Sequence, residues 1–164
     1  MKKNILKLTG ILILFTILLA GCNPSKMTFG NSEKWIPQDF DPSKTILLVE
    51  KFKVSDKAEQ KMEDYMSENY GNKYEFVDLS VIKNREGKYA NTKLYKYALV
   101  ISSHTNTITK AEGASTSGGL RVTGFDFNFY DRELDKNYPP TKRASSYAIT
   151  TFKPVINTIV KKFE

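Results

Sequence analysis

Residues 45–71, TILLVEKFKVSDKAEQKMEDYMSENYG, determine the fold class of this chain. The continuous apolar run at 45–50 predicts a β-strand that is buried on both faces. Ser55 or Asp56 then begins a helix, because both are good N-cap residues and Asp56 and Glu59 have the spacing of a capping box. One face of this helix carries, at helical spacing, Ala58, Met62, Tyr65, Met66 and Asn69. The stretch therefore predicts a strand followed by a helix that packs on the sheet.

The rest of the chain supplies further strands of the same sheet. Apolar or alternating runs predict strands at 74–79, 95–101 and 120–132. The first of these completes a β-α-β unit with parallel strands. The polar stretch 80–92 predicts an irregular connection. A turn at 131–136 leads to a short fifth strand, which Pro139 and Pro140 confine to a sheet edge.

A second long helix is predicted at the C-terminal end, capped by Ser145 or Ser146. Its apolar stripe consists of Ile149, Phe152, Ile156, Ile159 and Phe163. Pro154 lies within the stripe, so the helix either kinks or restarts there. The order β-α-β-β-β-α predicts a single domain with a mixed sheet of about five strands and two helices. The class is α/β, or α+β if the strands are mainly antiparallel.

The alternation at 120–132 also indicates which side chains are available to a partner. Phe125, Phe127 and Phe129 must face the core, so the intervening side chains are expected to face solvent. If 97–109 pairs with 120–132 as an antiparallel hairpin, the register decides whether the polar residues of both strands meet. The possible partner-binding surface, here called the predicted face, consists of Ser102, His104, Asn106, Asp126, Asn128, Tyr130 and Arg132. A merely solvated sheet face is the alternative.

The first 22 residues have the pattern of an export signal. Lysines at positions 2, 3 and 7 precede an apolar run at 11–19. The whole stretch 8–21 is shorter than the ~20 residues of a spanning helix and is not followed by a positive stop-transfer cluster. The small residues Ala20 and Gly21 then precede the only cysteine, Cys22. The run Leu19-Ala20-Gly21-Cys22 resembles the lipobox of bacterial lipoproteins. The resemblance implies that the Cys22 thiol carries diacylglycerol, that residues 1–21 are removed, and that the new amine is acylated, so the partner of this end is a membrane.

The predicted domain organisation follows from the cleavage site. Residues 22–41, rich in Asn, Pro, Ser, Lys and Gly, predict a lipidated N-terminus and flexible tether. Residues 42–164 predict a single globular domain. Trp35, Ile36 and Phe40 mark the point at which the tether docks on the domain, or alternatively Trp35 enters the lipid interface.

Charge and composition argue against several functions. The formal net charge is +7, but three of the basic residues and no acidic ones lie in the predicted signal peptide. The other lysines are interspersed with acidic residues, so no nucleic-acid partner is expected. With one histidine, His104, and a cysteine used for lipidation, no ordinary zinc site is expected. No sequence motif predicts a cofactor.

Two arrangements keep enzymatic chemistry open as an alternative. Ser102 and His104 share a strand face, but a nucleophile elbow of the GxSxG type is absent. Asp126 with Asp131 or Glu133 can be read as the carboxylate pair of a glycoside hydrolase. Acidic residues beside a hairpin turn more often serve turn geometry and solubility.

The mature chain is similar in architecture to the small mixed-sheet domains of bacterial envelope lipoproteins, including the activators of penicillin-binding proteins. The similarity rests on the lipobox, the polar tether, the β-α-β opening, and the strand at 125–131 that runs into an acidic turn. It raises the expectation of a non-enzymatic binding or accessory module whose partner is another envelope protein or a cell-wall component. The alternative is a small envelope hydrolase acting on peptide or glycan.

The residues after Cys22 bear on the membrane to which the protein is sorted. In lipoprotein families an acidic residue at this point often redirects sorting, whereas here Asn23, Pro24 and Ser25 follow. This departure favours the periplasmic face of the outer membrane if the cell has two membranes.

Overall fold

A computed structural model describes residues 34–108, 120–141 and 145–164, with the backbone alone at 106–108 and 120–122. The predicted signal peptide, Cys22, and the predicted tether up to residue 33 lie outside the described residues. The strands are β1 (Leu47–Glu50), β2 (Tyr74–Val77), β3 (Tyr97–Ile108), β4 (Leu120–Asp131) and β5 (Lys136–Asn137). The helices are α1 (Asp56–Asn69), α2 (Leu79–Asn84) and α3 (Ala148–Phe163), with a 3₁₀ helix at Gly87–Ala90.

The five strands form one mixed sheet in the order β2-β1-β3-β4-β5. β1 is parallel to both β2 and β3, which confirms the predicted β-α-β unit. β3 and β4 form a long antiparallel hairpin that is paired from Tyr97 opposite Asp131 to Ile108 opposite Leu120. β5 lies at the edge beside β4, as predicted. The α/β class and the sheet of about five strands are confirmed.

Both long helices form where the apolar periodicity predicts them, with small differences at their starts. Ser55 caps α1, since its hydroxyl accepts a hydrogen bond from the Ala58 N–H at 3.4 Å. Tyr147, rather than Ser145 or Ser146, is the N-cap of α3. Pro154 lies inside one uninterrupted helix, so of the two predicted alternatives, a kink or a restart, the restart is wrong.

The sheet is covered on both faces, and each face has its own apolar cluster. On the helical face, α1 and α3 pack against the sheet over fully buried side chains such as Met62, Phe127 and Phe152. On the opposite face, α2 and the 3₁₀ helix cover a smaller cluster that includes Ile82 and Tyr130.

The prediction of an irregular connection at 80–92 is wrong, because α2 and the 3₁₀ helix lie in it. α2 has six residues, so its apolar periodicity extends over little more than one turn. Its N-cap, Asp78, makes no side-chain capping hydrogen bond. Neither signal by which a helix is recognised from sequence is therefore strong here.

The last part of the predicted tether belongs to the folded core. Trp35, Ile36 and Phe40 are 4%, 2% and 2% exposed and belong to the helical-face cluster. The Phe40 ring lies 5.1 Å from that of Phe129 and 5.4 Å from that of Phe163. The expected docking at these three residues is confirmed, and the predicted boundary between 41 and 42 falls inside the packed unit.

Candidate functional site

The hairpin register brings the two halves of the predicted face together. Ser102 lies opposite Asp126, and His104 lies opposite Gly124. Ser102 is half-buried and His104 is exposed, whereas the side chain of Asn106 lies outside the described ones.

The expectation that the four β4-side residues of the predicted face are solvated is wrong. Asp126, Asn128, Tyr130 and Arg132 are between 0% and 6% exposed. Two layers account for this burial: α2 and the 3₁₀ helix cover the Tyr130 end, and polar side chains pair with one another at the Asp126 end.

Arg132 holds in place the segment 79–95, here called the covering segment, which contains α2 and the 3₁₀ helix. Its guanidinium donates to the carbonyl oxygens of Ile82 at 2.9 Å, Tyr95 at 2.6 Å and Tyr89 at 2.8 Å. Burial, together with repulsion from nearby Arg85, lowers the pKa of the guanidinium below its ordinary value. The charge is dispersed over three carbonyl dipoles, each of which gains a donor in or near the core. Arg132 is therefore a structural residue of this fold.

Tyr130 is held in a similar way. Its hydroxyl donates to the Asp135 carboxylate, and this hydrogen bond lowers the pKa of Asp135. The Lys83 Nζ lies 3.4 Å above the Tyr130 ring centroid, at cation–π distance. These contacts tie α2 to the turn between β4 and β5, so Tyr130 is not available to a partner.

The other end of the predicted face carries a hydrogen-bonded polar row across three strands. The Ser102 hydroxyl donates to Asn128 Oδ1 at 2.7 Å, and Asn128 Nδ2 donates to Asn137 Oδ1 at 3.0 Å. Asp126 accepts from the Thr141 hydroxyl and, at 2.7 Å, from the N–H of Phe127. The row satisfies buried polar groups with one another.

These contacts bear on both enzymatic alternatives. Because the Ser102 proton is donated to Asn128, the hydroxyl is not directed at His104. Asp126 and Asp131 alternate to opposite faces of β4, and Asp131 caps the next turn by accepting from the N–H of Glu133 at 2.8 Å. The structure does not bring these groups together as a catalytic pair.

A cluster of charged side chains around Lys96 holds the segment 34–41, through which the chain enters the folded domain. The Lys96 Nζ lies 2.6 Å from Asp39, 3.4 Å from Glu133 and 3.8 Å from Asp131. The Tyr97 hydroxyl donates to Asp39 at 2.5 Å. Lys96, and then Tyr97, hold the pKa of the Asp39 carboxyl below its usual range. This cluster lies at the amino end of β3 and clamps the segment 34–41 onto the sheet.

Glu50 lies at the opposite end of the parallel strands. It is the last residue of β1, and its carboxylate accepts the Ile101 N–H of β3 at 2.8 Å. Burial raises the pKa of Glu50 above its ordinary value, although Ile101, Lys53 and Lys83 favour the charged form. The chain leaves β1 towards α1 on one face and reaches β3 from α2 on the other, so Glu50 marks the switch point of the sheet.

Next to this end of the sheet lies an apolar cavity of about 390 Å³, here called the groove. It is lined by Phe52, Val54, Ser55, Lys57, Ala58, Lys61, Phe125, Ser146, Tyr147, Ala148 and Ile149. Phe52 and Phe125 contact each other edge to face, with centroids 4.9 Å apart. Val54 and Tyr147 are 73% and 72% exposed. The two charged residues of the lining are both lysines.

Sequence reasoning missed the groove, although one signal pointed to it. Val54 is the residue directly before the N-cap Ser55. An apolar residue at the position before an N-cap usually packs against the fourth residue of the helix. That residue is Glu59, so the apolar side chain that usually covers this position is missing from the helix. An apolar side chain in this position, beside Lys57 and Lys61, is available for contact with another molecule.

A comparison of the chain with models of known protein families gives no match, and a comparison with curated proteins gives none either. In the part of the chain that the structure describes, no helix has both the length and the apolar character needed to cross a membrane. Over the same residues, no three histidine, cysteine, aspartate or glutamate side chains are grouped so that they can hold a metal ion.

Proposed function

We propose that this protein is a membrane-anchored lipoprotein of the bacterial cell envelope that acts as a non-enzymatic binding or accessory module. The observation that carries the binding role is the groove. Val54 and Tyr147 expose large apolar surfaces to solvent beside an apolar cavity, and lysines supply the charge of its lining. Such a surface is stabilised when a partner covers it, because burial removes apolar area from water.

The anchor is supported by the sequence around Cys22. Two or more acyl chains hold a protein on a bilayer, whereas one binds only marginally. The stretch from Cys22 to Lys34 can span at most about 40 Å. The chain enters the fold at the amino end of β3, where Lys96 binds Asp39, and the groove lies beyond the carboxyl end of β1. The groove is therefore directed away from the point at which the anchor enters, which suits a partner protein better than the anchoring bilayer.

Acylation of Cys22 is tested by metabolic labelling of growing cells with a fatty-acid analogue. We expect the wild-type protein to incorporate the label. The Cys22→Ser variant should remain unlabelled and unprocessed, because the thiol is the acceptor. A wild-type protein without label contradicts the anchor.

The binding role is tested by placing a photo-crosslinking amino acid at position 147 of the anchored protein in intact cells. Position 134 is the matched control, because Leu134 is also an exposed apolar residue, 64% accessible, but lies in the turn between β4 and β5. We expect a discrete crosslinked protein from position 147 and none from position 134. Equal labelling at both positions, or no product at position 147, contradicts the proposal.

A further inference from the structure

The backbone groups of β3 alternate between its two sides. The Arg132 N–H donates to the Lys96 carbonyl at 2.8 Å, so the even-numbered residues of β3 exchange hydrogen bonds with β4. The odd-numbered residues direct their N–H and C=O groups to the other side. Ser103 therefore forms no backbone hydrogen bonds with β4. Its partner in β4, Phe125, directs its own N–H and C=O groups to Ser145, on the far side of β4.

Within the part of the chain that the structure describes, no strand pairs with that other side of β3 beyond Ile101, and this side is here called the open edge. β1 ends at Glu50, whose carboxylate takes the Ile101 N–H in place of a strand carbonyl. Among the described residues, no hydrogen bond reaches the backbone of Ser103 or Thr105 from this side. Both residues are exposed, and β3 continues to Ile108. An exposed strand edge of this kind is a template for another extended chain.

The groove adjoins this open edge on the helical face of the sheet. Phe125 lines the groove and is the direct partner of Ser103 in the hairpin. Because the side chains of a strand alternate, every second side chain of a strand added beside Ser103 faces the groove. An apolar side chain there matches the lining, and an acidic one matches Lys57 and Lys61.

We propose that the edge of β3 at Ser103 and Thr105 binds an extended peptide segment of a partner, which adds to the sheet as a strand and places apolar and acidic side chains at the groove. This inference rests on the proposed function and names the chemical class of the partner. Backbone hydrogen bonds supply part of the affinity, and the groove supplies the selection among sequences.

A second copy of this chain fits the same edge less well. In a two-fold dimer the same patch meets itself, so the Lys57 and Lys61 side chains of both copies would be brought near one axis. Like charges at an interface oppose association. Lys57 and Lys61 thus favour the binding of an acidic peptide over self-association.

The test uses a random peptide display library selected on the full-length chain in lipid nanodiscs. Thr105→Pro removes one N–H from the open edge and leaves the β4 ladder intact, because Thr105 is odd-numbered. Thr105→Val is the matched control, which keeps the N–H and removes only the hydroxyl that contacts Thr123. We expect selected peptides to bind Thr105→Pro on the order of tenfold more weakly than wild type and Thr105→Val equally well.

N-methylation of alternate peptide amides provides a readout on the unmodified protein and should weaken binding to a similar degree. The strand-addition proposal is overturned by peptides that tolerate both N-methylation and Thr105→Pro. It is also overturned if selection enriches no peptide or if the chain pairs with itself through this edge. If crosslinking at position 147 still yields a partner in those cases, the binding module stands and only strand addition fails.

Discussion

The Arg132 side chain illustrates what a single residue contributes to this fold. A planar guanidinium with five N–H donors suits three carbonyls that come from different parts of one covering segment. The alternating pattern of this strand predicts that Arg132 faces solvent, because the pattern cannot show that α2 and the 3₁₀ helix cover this side chain. The three acceptors are backbone carbonyl oxygens, which every residue type carries, so the sequence of the covering segment cannot reveal these hydrogen bonds.

We expect Arg132→Met to lower the free energy of unfolding by about 3 kcal/mol or more, because two buried carbonyls and one part-buried carbonyl lose this donor. Arg132→Lys should recover only part of this loss, since an ammonium group cannot reproduce the planar fork. The urea midpoint of each purified variant measures the change. Leu134→Ala, an exposed change in the next turn, should stay within about 0.5 kcal/mol. An Arg132→Met variant as stable as wild type would show that the carbonyls are otherwise satisfied.

At the scale of elements, prediction from sequence succeeded where an apolar pattern is long. α1 and α3 each carry several turns of periodic apolar residues, and the second half of β4 alternates from Phe125 to Phe129, so the sequence predicts these elements. α2 and the 3₁₀ helix are too short to show a period. The overall composition of residues 22–41 predicts a tether, whereas its last part, the segment 34–41, packs Trp35, Ile36 and Phe40 into the core.

The segment 34–41 is expected to be essential for folding. Removing it takes Trp35, Ile36 and Phe40 from the core, and each buried side chain of this size is worth roughly 1.5–3 kcal/mol. This sum approaches the total stability of an ordinary domain, about 5–15 kcal/mol. In circular dichroism melts, residues 34–164 should unfold cooperatively, whereas residues 42–164 should not.

A milder variant keeps this prediction testable if the shorter fragment cannot be purified. Phe40→Ala in residues 34–164 should cost about 3–5 kcal/mol, because the Phe40 ring contacts Tyr97, Phe129 and Phe163. If residues 42–164 and 34–164 unfold cooperatively at the same temperature, the segment 34–41 is part of the tether and not of the core.

At the scale of the whole molecule, the fold separates two ends with different roles. One end holds the entering chain through Lys96 and Asp39, and the other carries the groove and the open edge of β3. Sequence reasoning found the strands that build this second end but assigned the binding role to the predicted face, most of whose described side chains are buried. The groove combines residues from three separate stretches of the chain, around Val54, Phe125 and Tyr147, so no single pattern reveals it.

The central claim is that the groove binds a partner through its apolar lining and its lysines. The most direct measurement is the yield of the crosslinked product from position 147 in cells that carry Lys57→Glu and Lys61→Glu together. The matched control is Lys73→Glu with Lys93→Glu, which makes the same charge change at exposed positions outside the groove lining. We expect the groove variant to reduce the yield by about tenfold or more, because the acidic partner is repelled, while the control keeps it. An unchanged yield in the groove variant, or an equal loss in the control, would contradict the claim.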